Sequence, residues 1–288
     1  MSSIQETQAT VFNRIKNDKE YACTYPQMKS KGYLPATHEL HVFLGEINPS
    51  QKRVDKFFKT VEDWNDINSD LADRMNACYR ALIFRDENGA EKTVKVMQSA
   101  RYFRSDKTDE VVRELHDDAD FFAKRGFNVL REKIGATAFG IDGIPETDQE
   151  TKFYRTKYFE FHIKIGRQDV EDISSLDDKE IESLNIITRQ FTSKFKKPIP
   201  LSYNCSKDGV LDDCTSHERF LNVRFRNQGM NSIQPILKEI NLALPLFGLR
   251  VIETTSEYVW YDSFTTLDKG WIDYTQEELD KLELDKLR

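Results

Sequence analysis

The sequence predicts an α+β fold of two tandem ferredoxin-like (β-α-β-β-α-β) repeats with antiparallel sheets and a C-terminal helix. Three observations carry this expectation. Helical and strand periods alternate along the chain, the same element order occurs in both halves, and landmarks recur at a nearly constant offset. Glu39-x-His41 returns as Glu160-x-His162, 160 − 39 = 121 residues on; Arg101 of "RYF" returns as Arg224 of "RFR", 224 − 101 = 123; Gly126 of "GFNV" returns as Gly248 of "GLRV", 248 − 126 = 122.

In the first half, Val54, Phe57, Phe58, Val61 and Trp64 fall on one helical stripe. Val111, Val112, Leu115, Ala119 and Phe122 form another, stopped before Gly126. In the second half, Asp177 and Glu180 have capping-box spacing ahead of Ile181, Leu184, Thr188, Phe191 and Phe195. A fourth stripe, Ile233, Ile236, Leu237, Ile240 and Leu244, ends before Gly248 and places Pro235 in a first turn, where a missing N–H is harmless. Between the helices, residues 39–47, 76–84, 92–103, 127–134, 158–166, 199–204, 219–225 and 249–262 read as strands. The implied organisation is an N-terminal arm over 1–30, a first repeat over 31–136 and a linker over 137–156 rich in Gly, Pro, Thr and acidic residues. A second repeat covers 157–274, and a helix over 275–288 is opened by a Thr275/Glu278 capping box.

Composition narrows the function classes. Apolar residues make up 39% and charged residues 32% of 288, the balance of a packed globular chain. With 42 basic against 49 acidic side chains the formal charge is −7, so nothing global draws the protein to double-stranded DNA or an anionic membrane. No run approaches the roughly 20 apolar residues that span a bilayer, and the first residues lack the apolar stretch of a secretory signal; a soluble, cytoplasmic protein is expected. Cys23, Cys78, Cys205 and Cys214 form no CxxC pair, and His and Cys do not cluster at zinc-ligand spacing, so free thiols and no metal are expected. The sequence names no cofactor. GxGxxG, GxxxxGK[ST], HExxH, GxSxG and EF-hand patterns are all missing.

Candidate chemistry sits on the strand "YFEFHIKIG". Alternation puts Glu160, His162 and Lys164 on one face, with Phe159, Phe161, Ile163 and Ile165 on the other. That polar face is either solvated or the wall of a cleft between two sheets. If it lines a cleft, His162 suits general acid or base work, and Lys164 with Arg219 and Arg224 of "RFLNVRF" suits an anion cradle, with Glu160 their internal carboxylate. Tyr258, Tyr261 and Asp262 add hydroxyl and acidic partners, and His41 and Arg101 are the counterparts in the first repeat.

Two strand-borne histidine motifs, "HVFL" at His41 and "HIKI" at His162, resemble those of the two-histidine phosphoesterases. That family carries His-hydrophobic-Ser/Thr-hydrophobic; here Phe43 and Lys164 stand at the hydroxyl positions. The C-terminal half, through "YFEFHIKI" and "YDSFTTLDKGW", is similar to a set of uncharacterised microbial proteins with an FExHxK strand. "EFHIK" is also similar to the ExExK strand of triphosphate-tunnel enzymes, with His162 replacing the middle Glu. The resulting expectation is a phosphate-bearing ligand, a nucleotide or RNA end, bound and in the catalytic version hydrolysed or transferred between the repeats. The alternatives are a non-catalytic module for an acidic small molecule or protein partner, and an interaction protein whose sheets pair between subunits.

Overall fold

Strand alternation gives each sheet an apolar and a polar face, and here eight strands curl so that the polar faces meet. The computed structural model describes residues 35–46, 48–71, 73–85, 91–139, 141–152, 157–168, 176–204, 206–207, 210–211 and 219–264. The strands are β1 (Thr37–Leu44), β2 (Asn76–Arg85), β3 (Glu91–Arg104), β4 (Val129–Thr137), β5 (Tyr158–Arg167), β6 (Leu201–Asn204), β7 (Ser206–Lys207), β8 (Val210–Leu211), β9 (Arg219–Arg226) and β10 (Leu249–Asp262). All but β7 and β8, which pair with each other, form one closed antiparallel barrel in the order β1-β3-β2-β6-β9-β5-β10-β4. The helices are α1 (Gln51–Ile67), α2 (Thr108–Lys124), α3 (Asp148–Thr151), α4 (Asp178–Phe195) and α5 (Met230–Ala243), and α5 runs into a 3₁₀ turn at Leu244–Phe247.

This corrects the expected architecture. Two tandem ferredoxin-like repeats, each with its own sheet, would leave four open edges. Instead β2 pairs with β6, with Leu82 opposite Ser202, and β4 pairs with β10, with Gly135 opposite Val259. Closure satisfies backbone groups that an open edge leaves unpaired. Alternation in the sequence reports which face of a strand is apolar, but not which edge meets which.

The apolar faces point outward and are covered by helices. Leu40, Val42, Leu44 and Ile134 pack in one continuous core with Val54, Phe57, Leu115 and Phe122, and Phe161, Ile163, Leu221 and Phe225 join it with Leu184, Phe191 and Ile240. α1 rests on β2 and β3, and α2 on β1 and β4. The Asp177/Glu180 capping box forms as its spacing implies, and Gly126 and Gly248 take the left-handed conformation after α2 and the 3₁₀ turn. Pro235 is a correction. Gly229 N donates to Asp148 Oδ1 (2.8 Å) and Met230 N to the Pro145 carbonyl (3.2 Å), so α5 starts earlier than its apolar stripe. The proline therefore lies in the second turn and withholds a donor from the Asn231 carbonyl. The segment read as a linker thus contains α3 and anchors α5. The N-terminal arm and the C-terminal helix lie outside the described residues. Among those described, no helix is long and apolar enough to cross a membrane.

His38 shows how tightly the outer layer is locked. Its Nε2 bonds the Ser105 carbonyl (3.1 Å), while Trp260 Nε1 donates to its Nδ1 (3.2 Å), so the ring is neutral with its proton on Nε2. Burial, against the Ser105 bond, pushes its pKa down from 6.5 to about 4. Because the folded value lies below the unfolded one, the stability tied to the neutral ring is complete above about pH 6.5 and is lost as pH falls toward 4. The loss should reach about 2–3 kcal/mol near pH ~4.5. Urea unfolding between neutral and acid pH should show wild type losing more stability than His38→Gln by about that amount; parallel curves would contradict this lock.

Candidate functional site

Directly opposed residues on neighbouring strands share a face, so the register defines the lumen. Glu160 of β5 stands between Arg224 of β9 and Glu257 of β10, and His162 between Asn222 and Thr255. On the far wall, His41 of β1 stands between Ala100 of β3 and Lys133 of β4, and Phe43 between Gln98 and Arg131.

Glu160 is the best-connected group. Its Oε1 accepts from Arg224 Nε (2.9 Å) and Nη2 (2.5 Å), its Oε2 accepts from Lys133 Nζ (2.8 Å), and His162 Nε2 lies 3.3 Å from Oε1. Burial alone would raise its pKa, yet Arg224 and then Lys133 hold it well below the usual carboxylate range. A second buried knot joins Arg131 Nε and Nη2 to Asp262 (2.9 and 2.5 Å), and Tyr158 OH donates to the same carboxylate (3.0 Å).

Two histidines face this interior, each fixed from behind. Gln98 Nε2 lies 2.6 Å from His41 Nδ1, and Asn222 Oδ1 lies 2.6 Å from His162 Nδ1. An amide oxygen only accepts, so His162 carries its proton on Nδ1. Burial, helped by Lys133 and opposed by Glu257, takes His41 down to about 4, and burial also lowers His162. Both rings are therefore neutral at pH 7.

Two carboxylates flank His41, with its Nε2 3.8 Å from Glu39 Oε2 and 3.5 Å from Glu257 Oε2. Burial and then the charge of Glu257 push Glu39 well above the normal range. For Glu257 burial acts upward, but Lys133 and His41 outweigh it and the net shift is down. Of the two carboxylates, Glu39 therefore takes up a proton more readily than Glu257 does. The Glu257 carboxylate lies across Gly135, where an added Cβ would stand 2.5 Å from Oε2.

Between these groups lies a cavity of about 210 Å³, lined by Glu39, His41, Arg80, Tyr102, His162, Ser202, Phe220, Thr255 and Glu257. Tyr102, 43% exposed, marks its mouth. A second hollow of about 240 Å³ is formed by residues 141–150, away from the lumen, and its only charged groups are Asp142, Glu146 and Glu150. It offers no mixed chemistry.

Of the residues singled out from sequence, the lumen brings together His41, Glu160, His162, Arg224 and Asp262. Lys164 shares their face but stands two residues along, partly exposed, opposite Phe220 and Glu253. Arg219 is on the outer side of β9, its guanidinium 4.6 Å above the Tyr203 ring. Arg101 lies under α2, bonded to Asp118 (2.6 Å) and Glu114 (2.8 Å) and stacked on Trp64. Tyr258 packs on Phe159 and Tyr261 on His116, both outside, because a bulge between Val259 and Tyr261 breaks the alternation that would have grouped Tyr258 with Asp262. The expected phosphate or nucleotide cradle is corrected with them. Arg219 is absent from the lumen, and the cationic groups of Arg224 and Lys133 are already held by Glu160.

Sequence reading missed Arg80, Lys133, Glu257 and Gly135. Lys133 was hidden because its neighbour Glu132 is also charged but faces outward to His116 (2.5 Å), so the alternation is masked. Glu257 reaches the site only through barrel closure. Glu39, His41 and Glu257 were not grouped for the same reason: their donor atoms lie within 4.8 Å of one another although they come from opposite ends of the chain.

No family model matches the chain, and no curated protein matches it significantly. Among solved structures, it is similar to a proposed monooxygenase from Lactobacillus acidophilus NCFM (13% identity, 79% of this chain and 94% of that one, TM-score 0.26). It is also similar to a heme-binding protein from Thermus thermophilus (11%, 90% and 98%, TM-score 0.26). A third is chlorite dismutase from Candidatus Nitrospira defluvii (13%, 82% and 95%, TM-score 0.26). At such scores these likenesses carry no argument about this chain.

Gly135 provides a direct check of the site's geometry. Gly135→Ala should force the Glu257 carboxylate away from His41 and Lys133, lowering stability by about 1–3 kcal/mol in urea unfolding. A variant as stable as wild type would place Glu257 elsewhere.

Proposed function

We propose that the barrel lumen is a receptor site for a small carboxylate-bearing molecule, with Arg80 as its anchor. The observation that supports this is the contrast among the lumen cations. Arg131, Lys133 and Arg224 each hold a carboxylate within 3 Å, whereas among the described residues no carboxylate stands within 4 Å of the Arg80 guanidinium, and its Nε has no hydrogen-bond partner. Burial acts against its charge, while Cys78 and then Glu39, Glu257 and Glu160 support it from farther away, so the net shift is up.

A guanidinium with no close carboxylate keeps donors in reserve, and a ligand carboxylate taken in bidentate fashion uses them. Ser202 and Thr255 offer hydrogen bonds in the same cavity, and Phe220 offers an apolar surface. The charged Glu257 disfavours a dianion. This reading keeps the acidic small molecule foreseen in the sequence and replaces the phosphate with a single carboxylate.

Differential scanning fluorimetry and calorimetric titration with a panel of small monocarboxylic acids, dicarboxylic acids and inorganic phosphate test it. Monocarboxylates should raise the unfolding temperature and phosphate should not. Arg80→Gln should weaken binding by about 2–5 kcal/mol, roughly thirtyfold or more. Binding unchanged in Arg80→Gln, preference for phosphate, or no response to any carboxylate would contradict the proposal.

A further inference from the structure

We infer that Glu39, His41 and Glu257 form a site for one divalent cation of the zinc or manganese class, set into the wall of the lumen. The inference is independent of the carboxylate reading, because its test uses the metal ion alone.

Local structure supplies two of the ligands. Glu39 and His41, two apart on β1, project from the same face. Closure supplies the third, because β10 pairs with β4 and Gly135 leaves the space through which Glu257 reaches back to β1. From His41 Nε2 to the two carboxylates the distances are 3.5 and 3.8 Å. Ligands each about 2.0–2.2 Å from an ion at near-tetrahedral angles stand roughly 3.4–3.6 Å apart, so small side-chain rotations close the site. One imidazole with two carboxylates suits zinc or manganese.

Two orphaned atoms point to a missing partner. His41 is 3% exposed and Glu257 4%, yet His41 Nε2 and Glu257 Oε2 both lack a hydrogen bond. A proton shared between Glu39 and Glu257 would explain the carboxylate pair, but it leaves His41 Nε2 facing them unused. The surroundings also fit. Gln98 braces His41 from Nδ1, the position where metal-bound imidazoles are usually held. For Nε2 to offer its lone pair, the Gln98 amide must present its oxygen to an Nδ1–H, a half-turn that changes its shape little. Lys133 keeps its nearer partner, Glu160 at 2.8 Å against 3.5 Å for Glu257, when Glu257 turns toward an ion. All three ligands line the cavity, so a coordination position remains open to water or a small molecule.

The full chain, stripped with a chelator and dialysed, should take up close to one equivalent of Zn²⁺ in calorimetry, and Co²⁺ should give visible absorption bands of an ordered site. Glu39→Gln is the informative variant, since it keeps the size and shape of that side chain and removes only its carboxylate. It should weaken Zn²⁺ binding by roughly tenfold or more, as should His41→Gln and Glu257→Gln where circular dichroism shows them folded. His116→Gln, which removes the histidine–carboxylate pair outside the barrel, should bind as wild type does. No stoichiometric uptake by the folded wild type, unchanged affinity in Glu39→Gln, or loss in His116→Gln alone would each overturn the site.

Discussion

Glu160 is a carboxylate buried to 1% exposure, and it holds its charge because Arg224 and Lys133 reach it from two different strands while His162 approaches from its own. Removing one partner from such a cluster strands a charge in a weakly polar interior, which typically costs about 3–5 kcal/mol. The cluster therefore binds β4, β5 and β9 across the lumen as firmly as the backbone ladders bind neighbours around the wall. It also decides what the lumen can do: with Arg224 and Lys133 engaged, Arg80 is left facing the cavity as a cation with no carboxylate close by among the described residues.

The division of labour between the two faces makes this polar interior possible. The helices lie outside and build the hydrophobic core with the outward faces of the strands. With the apolar burial supplied by that outer layer, the lumen can carry ionisable groups that compensate one another, the arrangement in which shifted pKa values mark candidate functional sites. Burial lowers both histidines, while Lys133 holds Glu257 below the usual carboxylate range beside a Glu39 that burial and Glu257 push above it.

What could be read from sequence follows the range of the interactions. Period two on "YFEFHIKIG" placed Glu160 with His162, and the same rule on "RFLNVRF" sets Arg224 with Asn222 and leaves Arg219 outside. Capping chemistry at Asp177 is equally local. Closure is not local: no residue of β2 announces β6 as its neighbour, and so two separate sheets were expected where one barrel stands. The bulge at Val259 puts Asp262 in the lumen and leaves Tyr258 and Tyr261 outside, and the charged Glu132 beside Lys133 hides the alternation that would have marked Lys133. Arg80, an isolated charge in "NACYRALIF", acquires meaning only from the cavity it faces.

The central claim is that Glu160 and Arg224 compensate each other inside a closed lumen. A double-mutant cycle with Glu160→Gln and Arg224→Met, read by urea unfolding at neutral pH, measures that directly. Each single change should be strongly destabilising, and the double variant should recover part of the loss, giving a coupling of about 2–4 kcal/mol. Strict additivity, with each single change within about 0.5 kcal/mol of wild type, would mean that these side chains are solvated and apart, and the polar lumen would fall with them.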